Sequence, residues 1–387
     1  MDTVVVSGAI ANKLLNGGEA WVRLSWILGL RRLGLDVWFV EQLDPGAAVD
    51  SAGDPASFAD SENRRYFDDV VERFGLAGRA SLLFDGGREA SGVALEDLLP
   101  VAEQAVLLVN ISGHLDVEPL MSRLRRKAYV DLDPGFTQFW HVQGIGGSRL
   151  EGHDVYFTVG ENVGRPECEI PTCGLTWTPV RPPVVLDEWP VAADGDQDRF
   201  TTVGAWRGAF GPVHHDGRAY SLKVHQFRKV IELPRRAPQR FEIALLIHPG
   251  DDRDRAALEV NGWAIVDPRK VAPGPLEFRA YVQGSGAEFS VAQGIYVETN
   301  SGWFSDRTVR YLASGRPVLV QDTGFSAHLP TGEGLLAFRD LDGAVAGAER
   351  IAADYSAHRE AARALAESRF DSDVVLPRFL AQAGVGH

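Results

Sequence analysis

Side chains able to transfer protons follow predicted strands at two places in the chain. Asp131 and Asp133 are two residues apart in VDLDPG, so both point to the same face of a strand. This pair either binds a metal ion, orients a hydroxyl group, or simply ends the strand in a turn at Pro134. His114 follows a buried strand in VNISGHLD, and histidine titrates in a range suited to proton transfer, although a solvated loop residue is the alternative. Glu19, beside a pair of glycines, is the remaining candidate.

A glycine pair marks the first candidate anion site. Gly17 and Gly18 lie between the first predicted strand and the first predicted helix. Without Cβ atoms they let backbone amides approach an anion, and the helix dipole favours negative charge there. A tight turn is the alternative. The loop matches neither GxGxxG nor a P-loop, so a nicotinamide or ATP phosphate cradle is not supported.

The polar loop TNSGWFSDR is the second candidate anion site. The amides of Ser301 and Gly302 are expected to face a phosphate, and Ser305 is expected to cap the helix that follows, with Asp306 in its first turn. Arg307 adds a positive charge. An ordinary helix start is the alternative.

Four further residues are candidates by position. Lys223 and Arg228 lie on a helix after a glycine-containing loop, where a lysine either contacts a diphosphate or extends its charge to solvent. His248 follows a strand in IHPG. Most of the nine tryptophans are expected in the core, but Trp21, at the start of the first helix, is a candidate stacking surface.

Alternating strands and helices must position these residues. The chain shows two βαβ arrays, which is typical of doubly wound parallel sheets. Within the second array, residues 222–233 are predicted to form a helix ended by Pro234, and GIYVET (294–299) is predicted to form a strand. Proline-rich, acidic sequence between the arrays indicates a linker. The predicted division is a first domain over 1–182, a linker over 183–198, a second domain over 199–365 and a final helix over 366–387.

Composition narrows the class of protein. The 387 residues carry 39 Lys and Arg against 53 Asp and Glu, a net charge of −14. Such a charge disfavours nucleic acid and anionic membranes as partners. No apolar run is long enough for a membrane span, the first residues do not resemble a signal peptide, and two cysteines are too few for a disulfide framework. We therefore expect a cytoplasmic protein, monomeric or homodimeric, and the preference for Arg over Lys suggests a bacterial source.

Two stretches resemble one enzyme family. SGWFSDRTVRYLASGRPVLVQDTGF, followed by LPTGEGLLAF, is similar to the donor-binding half of the GT-B glycosyltransferases, and NGGEAWVRLSWILGLRRLGLDV is similar to their opening. The resemblance implies an α/β fold of two Rossmann-like domains that face each other across a cleft. It also implies transfer of a sugar from a nucleoside-diphosphate sugar to a small-molecule acceptor, a natural product or a saccharide, without a metal or other cofactor.

The resemblance also implies roles for the residues above. The donor diphosphate is expected over Ser301–Arg307, with its sugar directed toward Gly17 and Gly18. Lys223, Arg228 and His248 are further candidates for donor contacts, Trp21 and Asp131 for the acceptor, and Glu19, His114 and Asp133 for the catalytic base. The chain departs from the family where many retaining members carry two glutamates, since Ser301 and Arg310 stand near those places; Glu333 or Glu298 is the candidate replacement. A nucleotide-sugar epimerase and a non-catalytic binding partner are the alternative functions.

Overall fold

The computed structural model describes residues 2–193, 195–208 and 210–386. Within them, the N-terminal half is built on an eight-stranded sheet in the order β4-β3-β2-β1-β5-β6-β7-β8, parallel throughout except for the β3–β4 pair. Its strands are β1 (Thr3–Ser7), β2 (Asp36–Leu43), β3 (Ala80–Phe84), β4 (Glu89–Gly92), β5 (Leu107–Ile111), β6 (Lys127–Asp131), β7 (Val155–Thr158) and β8 (Trp177–Pro179).

Helices cover both faces of this sheet. The central strand β1 is therefore a continuous apolar run in which Val4, Val5 and Val6 are all buried. The strand order reverses between β1 and β5, and this is the place where open parallel sheets leave a crevice at the carboxyl ends of their strands. The helices of this half are α1 (Gly17–Arg32), α2 (Glu62–Arg73), α3 (Leu95–Gln104), α4 (Glu118–Met121) and α5 (Phe136–Val142).

The C-terminal half repeats the design with a six-stranded, wholly parallel sheet in the order β13-β12-β9-β14-β15-β16. Its strands are β9 (Asp196–Ala205), β12 (Arg240–Leu246), β13 (Ala264–Val266), β14 (Ser285–Ser290), β15 (Val318–Gln321) and β16 (Leu335–Phe338), and β10 (Val213–His215) pairs with β11 (Arg218–Tyr220) as a separate hairpin. Here the order reverses between β9 and β14.

The helices of the C-terminal half separate these strands and close the chain. They are α6 (Lys223–Arg228), α7 (Leu233–Arg236), α8 (Asp252–Val260), α9 (Pro268–Val271), α10 (Pro275–Gln283), α11 (Gly294–Glu298), α12 (Asp306–Ala313), α13 (Leu341–Ala353), α14 (Tyr355–Arg369) and α15 (Ser372–Gln382). No helix of the described residues is both long and apolar enough to span a bilayer.

Two predicted elements of this half are wrong. The stretch 294–299 is not a strand: residues 294–298 form α11, and Ile295 and Tyr296 pack in a buried cluster with Phe136 of α5 rather than joining the sheet. The helix predicted over 222–233 ends at Arg228. Pro234 does not end a helix but lies in the first turn of α7, which begins at Leu233, since proline is well placed there.

The proline-rich connection is more ordered than a linker. Val184 and Trp189 are fully buried, and β9 already begins at Asp196, inside the predicted linker. At the end of the chain, α15 returns to the N-terminal half and packs on α1, where the rings of Trp26 and Phe379 meet at 4.9 Å. The final helix therefore holds the two halves together.

Candidate active site

A cleft of about 880 Å³ lies between the two halves, where the carboxyl ends of both sheets face each other. Both topological reversals open onto it, which is the position expected for a ligand of an open α/β fold. Seven of the residues proposed from the sequence line this cleft: Glu19, His114, Asp133, Lys223, Ser305, Asp306 and Arg307.

Asp133 lies on the N-terminal wall, just beyond the end of β6. The hydroxyl of Tyr296, on α11 of the opposite half, donates a hydrogen bond to Asp133 Oδ1 at 2.7 Å. Burial raises the pKa of Asp133 to about 6, and the charges of Asp131 and Glu19 act in the same direction, while the hydrogen bond from Tyr296 opposes them. A carboxyl group that titrates near neutrality is suited to act as a general base.

Asp131 does not reach the cleft, so its proposed contact with an acceptor is wrong. It is fully buried and accepts hydrogen bonds from Thr137 Oγ1, Gln138 Nε2 and Thr158 Oγ1 at 2.7–2.9 Å. It also accepts one from the amide of Asp133 at 3.1 Å, so it fixes the loop that carries the candidate base. Among the described residues, no group of three or more His, Cys, Asp or Glu side chains is arranged to hold a metal ion.

Glu19 and His114 share the N-terminal wall with three cations. Burial opposes ionisation of Glu19, but Arg23 and Lys13 outweigh it and lower the pKa of this carboxyl. Burial lowers the pKa of His114 to about 3, and the charges of Arg23, Lys13 and Arg149 contribute. At neutral pH His114 is therefore an uncharged imidazole and a weak base, and Glu19 is a carboxylate paired with Arg23.

The start of α12 forms the opposite wall. Ser305 is the N-cap residue, but its side chain makes no capping hydrogen bond. Within the part of the chain that the structure describes, the amides of Asp306, Arg307 and Thr308 have no acceptor. Lys223 lines the cleft beside this helix start, and its ammonium has no hydrogen-bond or ion-pair partner among the described residues. Burial lowers the pKa of Lys223 to about 8, and the charge of Arg307 adds to the effect.

The side chain of Arg307, at the N-terminus of α12, is fixed by three hydrogen bonds. Its Nε donates to the buried carboxylate of Glu288 at 2.7 Å, and its Nη1 donates to the carbonyl of Val203 at 2.9 Å. Its Nη2 donates to the hydroxyl of Ser290. These contacts fix a guanidinium, paired with Glu288, beside free amides and the unpaired ammonium of Lys223, so this wall offers preorganised donors to an anion.

The glycine pair at the start of α1 does not form an anion site. The amide of Gly17 donates to the carbonyl of Ala272 at 3.2 Å, and a Cβ on Gly17 would overlap the carbonyl of Gly274. A Cβ on Gly18 would lie 3.0 Å from the ring of Phe278. Both glycines let the two halves approach each other closely, so their assignment to the donor is wrong.

Ser301 and Gly302 are also closed to a ligand. Both are buried, and their amides donate to the carbonyls of Tyr296 and Thr323 at 3.1 and 2.8 Å. Gly302 has φ +72°, and a Cβ there would lie 2.9 Å from the amide nitrogen of Asn162. The predicted diphosphate contact at this peptide is wrong, and the amides available to an anion lie four to six residues further on.

Trp21 and Arg228 are placed away from the cleft. Trp21 is fully buried, its Nε1 donates to the carbonyl of Pro275 at 2.7 Å, and its ring packs against Trp189. It is therefore core at the contact between the halves, not a stacking surface for an acceptor. Arg228 forms a two-bond ion pair with Asp254 at the protein surface.

Three further donor candidates, His248, Glu333 and Glu298, also lie outside the cleft. The His248 ring accepts a hydrogen bond from the amide of Gly250 at 3.0 Å and is exposed outside the cleft. Glu333 lines a separate depression against α13 and α14. Glu298 is bound to the hydroxyl and amide of Ser221. None of the three lines the cleft, so their proposed donor contacts are not supported.

The fold can be compared with known proteins. No protein-family model and no curated protein matches the sequence. An alpha-glucosyltransferase solved with UDP-glucose and DNA containing an abasic site aligns over 99% of this chain and 98% of its own, with 11% identity and a TM-score of 0.60. Sucrose-phosphate synthase from Thermosynechococcus elongatus aligns over 99% of this chain and 99% of its own, with 13% identity and a TM-score of 0.55. HepE from Anabaena, solved with UDP and glucose, aligns over 99% and 100%, with 11% identity and a TM-score of 0.56. The chain has the GT-B fold.

One prediction about partners is corrected by these GT-B structures. The net charge of −14 predicts that nucleic acid is not a main partner, yet two structures similar to this chain contain DNA, one with an abasic site and one with a HMU base. The prediction that nucleic acid is not a partner is therefore wrong for a chain with this fold. What counts is the local charge of the surface that meets the ligand.

Several residues of this GT-B cleft were not identified from the sequence. Lys13 lies on a short 3-10 turn (Ala11–Lys13) after β1, and Arg23 lies one helical turn beyond Glu19 on α1. The i,i+4 spacing of Glu19 and Arg23 was a usable signal. No sequence signal pointed to Tyr296. Its stretch was predicted as a strand, and its partner Asp133 is 163 residues away in the chain.

Proposed function

We propose that this protein transfers a sugar from a nucleoside-diphosphate sugar to a hydroxyl group of a small-molecule acceptor. The observation that carries the proposal is the two-sided cleft: the unpaired ammonium of Lys223 and free helix amides on one wall, and a half-buried carboxyl with a pKa of about 6 on the other. Several similar GT-B structures contain UDP or UDP-glucose, so UDP is the nucleotide to test first.

The C-terminal wall suits the leaving diphosphate. As the bond from the sugar C1 to the phosphate oxygen breaks, negative charge grows on that oxygen, and preorganised donors stabilise it. The amides of Asp306 and Arg307 and the ammonium of Lys223 are such donors, and none of them has a competing partner among the described residues. The guanidinium of Arg307 adds a fixed charge.

The N-terminal wall suits the acceptor. In a single displacement the acceptor oxygen bonds to C1 while a general base takes its proton. Asp133 is the best of the three candidates, because its pKa of about 6 lies closer to neutrality than that of His114, about 3, and the pKa of Glu19 is lowered by Arg23 and Lys13 against the effect of burial. The small-molecule acceptor is consistent with the cleft volume of about 880 Å³, which is in the range of small-molecule sites.

Lys223→Met tests the donor site. Lys223 has no partner that its removal would leave unsatisfied, so the fold should persist. Loss of one charge-assisted contact costs about 1.5–3 kcal/mol, so calorimetry should show UDP binding weakened about 10- to 100-fold. Lys229→Met is the matched control. Lys223 is the first residue of α6 and Lys229 directly follows that helix, but the ammonium of Lys229 bonds to Gln226 and does not line the cleft. Equal UDP affinity in the two variants would contradict the donor site.

Turnover then separates the alternatives. Incubation of the wild-type protein with UDP-glucose and a set of sugar and aromatic acceptors should give UDP and a glycosylated product. Conversion of the donor to an isomer without any acceptor would indicate an epimerase instead. Tight UDP binding with no turnover of any sugar donor would indicate a binding protein.

A further inference from the structure

Three cations gather on the N-terminal wall of the cleft, away from the donor side. Lys13, Arg23 and Arg149 all line the cleft, and their charges all act on the imidazole of His114. They come from three separate segments of the N-terminal half: the turn after β1, helix α1, and the loop between α5 and β7. In a chain of net charge −14, three cations from separate segments thus share one wall of the cleft with the carboxyls of Glu19, Asp44 and Asp133.

The positive charge of this cluster is only partly neutralised. Arg23 is paired with Glu19, yet its Nε is buried and has no partner within the described residues. The ammonium of Lys13 has no hydrogen-bond or ion-pair partner in the same part of the chain. The contacts of Arg149 within the described residues are long: 3.3 Å to the carbonyl of His114, and 3.4 Å to the carbonyl of Gly113 and to Asp116. Asp44 also lines the cleft, so the wall carries three cations and two carboxylates besides Asp133.

The cluster is separate from the donor cations but close to the candidate base. Lys13 acts on the carboxyls of Glu19 and Asp133, whereas Lys223 is influenced by Arg307, Glu288 and Asp133. Asp133 is therefore within electrostatic range of both Lys13 and Lys223, and all three line the cleft. A molecule whose charged end contacts Lys13 and Arg149 would present its other end to Asp133.

We propose that Lys13, Arg23 and Arg149 bind an anionic group, a phosphate or a carboxylate, carried by a sugar-like acceptor. This inference rests on the proposed function, and it names the class of acceptor. Guanidinium and ammonium groups together bind such anions through charge-assisted hydrogen bonds, with the guanidinium setting the orientation. The free imidazole of His114, uncharged at neutral pH, offers one further hydrogen bond to the same group.

The test uses the full protein saturated with UDP, so that the donor phosphate site is occupied. Glucose 6-phosphate, glucuronate and glucose are titrated into this complex by calorimetry. We expect at least one of the two anionic sugars to bind and glucose to bind more weakly. Lys13→Met should weaken binding of the anionic sugar about 10- to 100-fold and leave UDP affinity unchanged. Lys270→Met, which removes an exposed lysine outside the cleft, is the matched control and should bind like the wild type.

The outcomes distinguish the two proposals. Binding of the phosphate alone identifies a phosphate site, and binding of the carboxylate alone identifies a carboxylate site; either supports the inference if Lys13→Met removes it. Equal affinity for glucose and both anionic sugars, or no loss in Lys13→Met, overturns it. A short DNA duplex that binds through Lys13 while neither sugar does would also overturn it, in favour of a nucleic-acid acceptor. Failure of the wild-type protein to bind UDP or any other nucleoside diphosphate overturns the proposed function itself.

Discussion

Helices α1 and α12 begin in similar sequence settings at the same cleft, yet only one of them is open to a ligand. At α1, the side chain of Asn16 accepts from the amide of Glu19, and the amide of Gly17 is bound to the carbonyl of Ala272. At α12, the N-cap Ser305 makes no such bond, and the amides that follow have no acceptor in the described part of the chain.

The difference shows what makes a helix start an anion site. The dipole and the presence of glycine are common to many helix starts, but an anion needs amides that nothing else satisfies. At α1 the glycines serve packing between the halves, and at α12 a capping bond is missing where a phosphate is expected. Four variants can break or sharpen this comparison.

Asp133→Asn should have the largest effect. It removes the carboxylate that takes the acceptor proton, and loss of a general base typically costs 100- to 10,000-fold in rate. The rate of product formation should fall by this order, while calorimetry shows an unchanged affinity for UDP, because binding belongs to the α12 wall. Asp44→Asn, which changes another carboxylate of the same cleft, should keep most of the activity. A similar loss of activity in both variants would show that Asp133 is not the general base.

Ser305→Asp should convert the start of α12 to the closed state of α1. A carboxylate at the N-cap accepts from the free amides and repels a phosphate, so UDP affinity should fall about tenfold or more. Asn16→Asp makes the same kind of change at α1 and should leave UDP affinity as it is. If Asn16→Asp weakens UDP binding and Ser305→Asp does not, the roles of the two helices are reversed.

Gly17→Ala should affect stability rather than the donor site. The added Cβ meets the carbonyl of Gly274, and overpacking of this kind costs roughly 1–3 kcal/mol. Thermal unfolding should show a lowered midpoint, with UDP still bound at low temperature. Gly46→Ala, where the added Cβ has open space, should keep the wild-type midpoint. A normal midpoint with UDP binding abolished would restore the glycine pair to the anion site.

Tyr296→Phe should have the smallest effect, on the pH profile. The Tyr296 hydroxyl favours the ionised form of Asp133, so its removal raises the pKa of this carboxyl above about 6. Because the base acts only when ionised, activity increases with pH through its pKa, and the acid limb should move to higher pH in the variant. Tyr156→Phe, whose hydroxyl bonds within the N-terminal half, is the control. An unshifted acid limb would mean that another group controls it.

Local patterns predicted most of the fold. Several signals depend only on neighbours in sequence: the β-branched run of β1, the apolar spacing of α1 and the glycine after α12. The two parallel sheets follow from the alternation of strands and helices along the chain. The prediction for the short segment 294–299 was wrong, because three apolar side chains in a row suit a strand or a helical turn equally well, and packing decided.

The site was predicted less completely because long-range contacts decide it. Residue types and strand ends located Asp133, Lys223 and Arg307 in the cleft. They did not reveal that Trp21 bonds to Pro275, 254 residues away, or that the amide of Gly302 is occupied by Thr323. Whether a polar group is free depends on what covers it, and the covering residue is usually distant in the chain.

A crystal structure of the complex with UDP tests the central claim most directly. The account predicts the diphosphate at the start of α12, with oxygens within hydrogen-bond distance of the Asp306 and Arg307 amides and of Lys223 Nζ. A diphosphate at Gly17 and Gly18, or anywhere else outside the α12 wall, would contradict it.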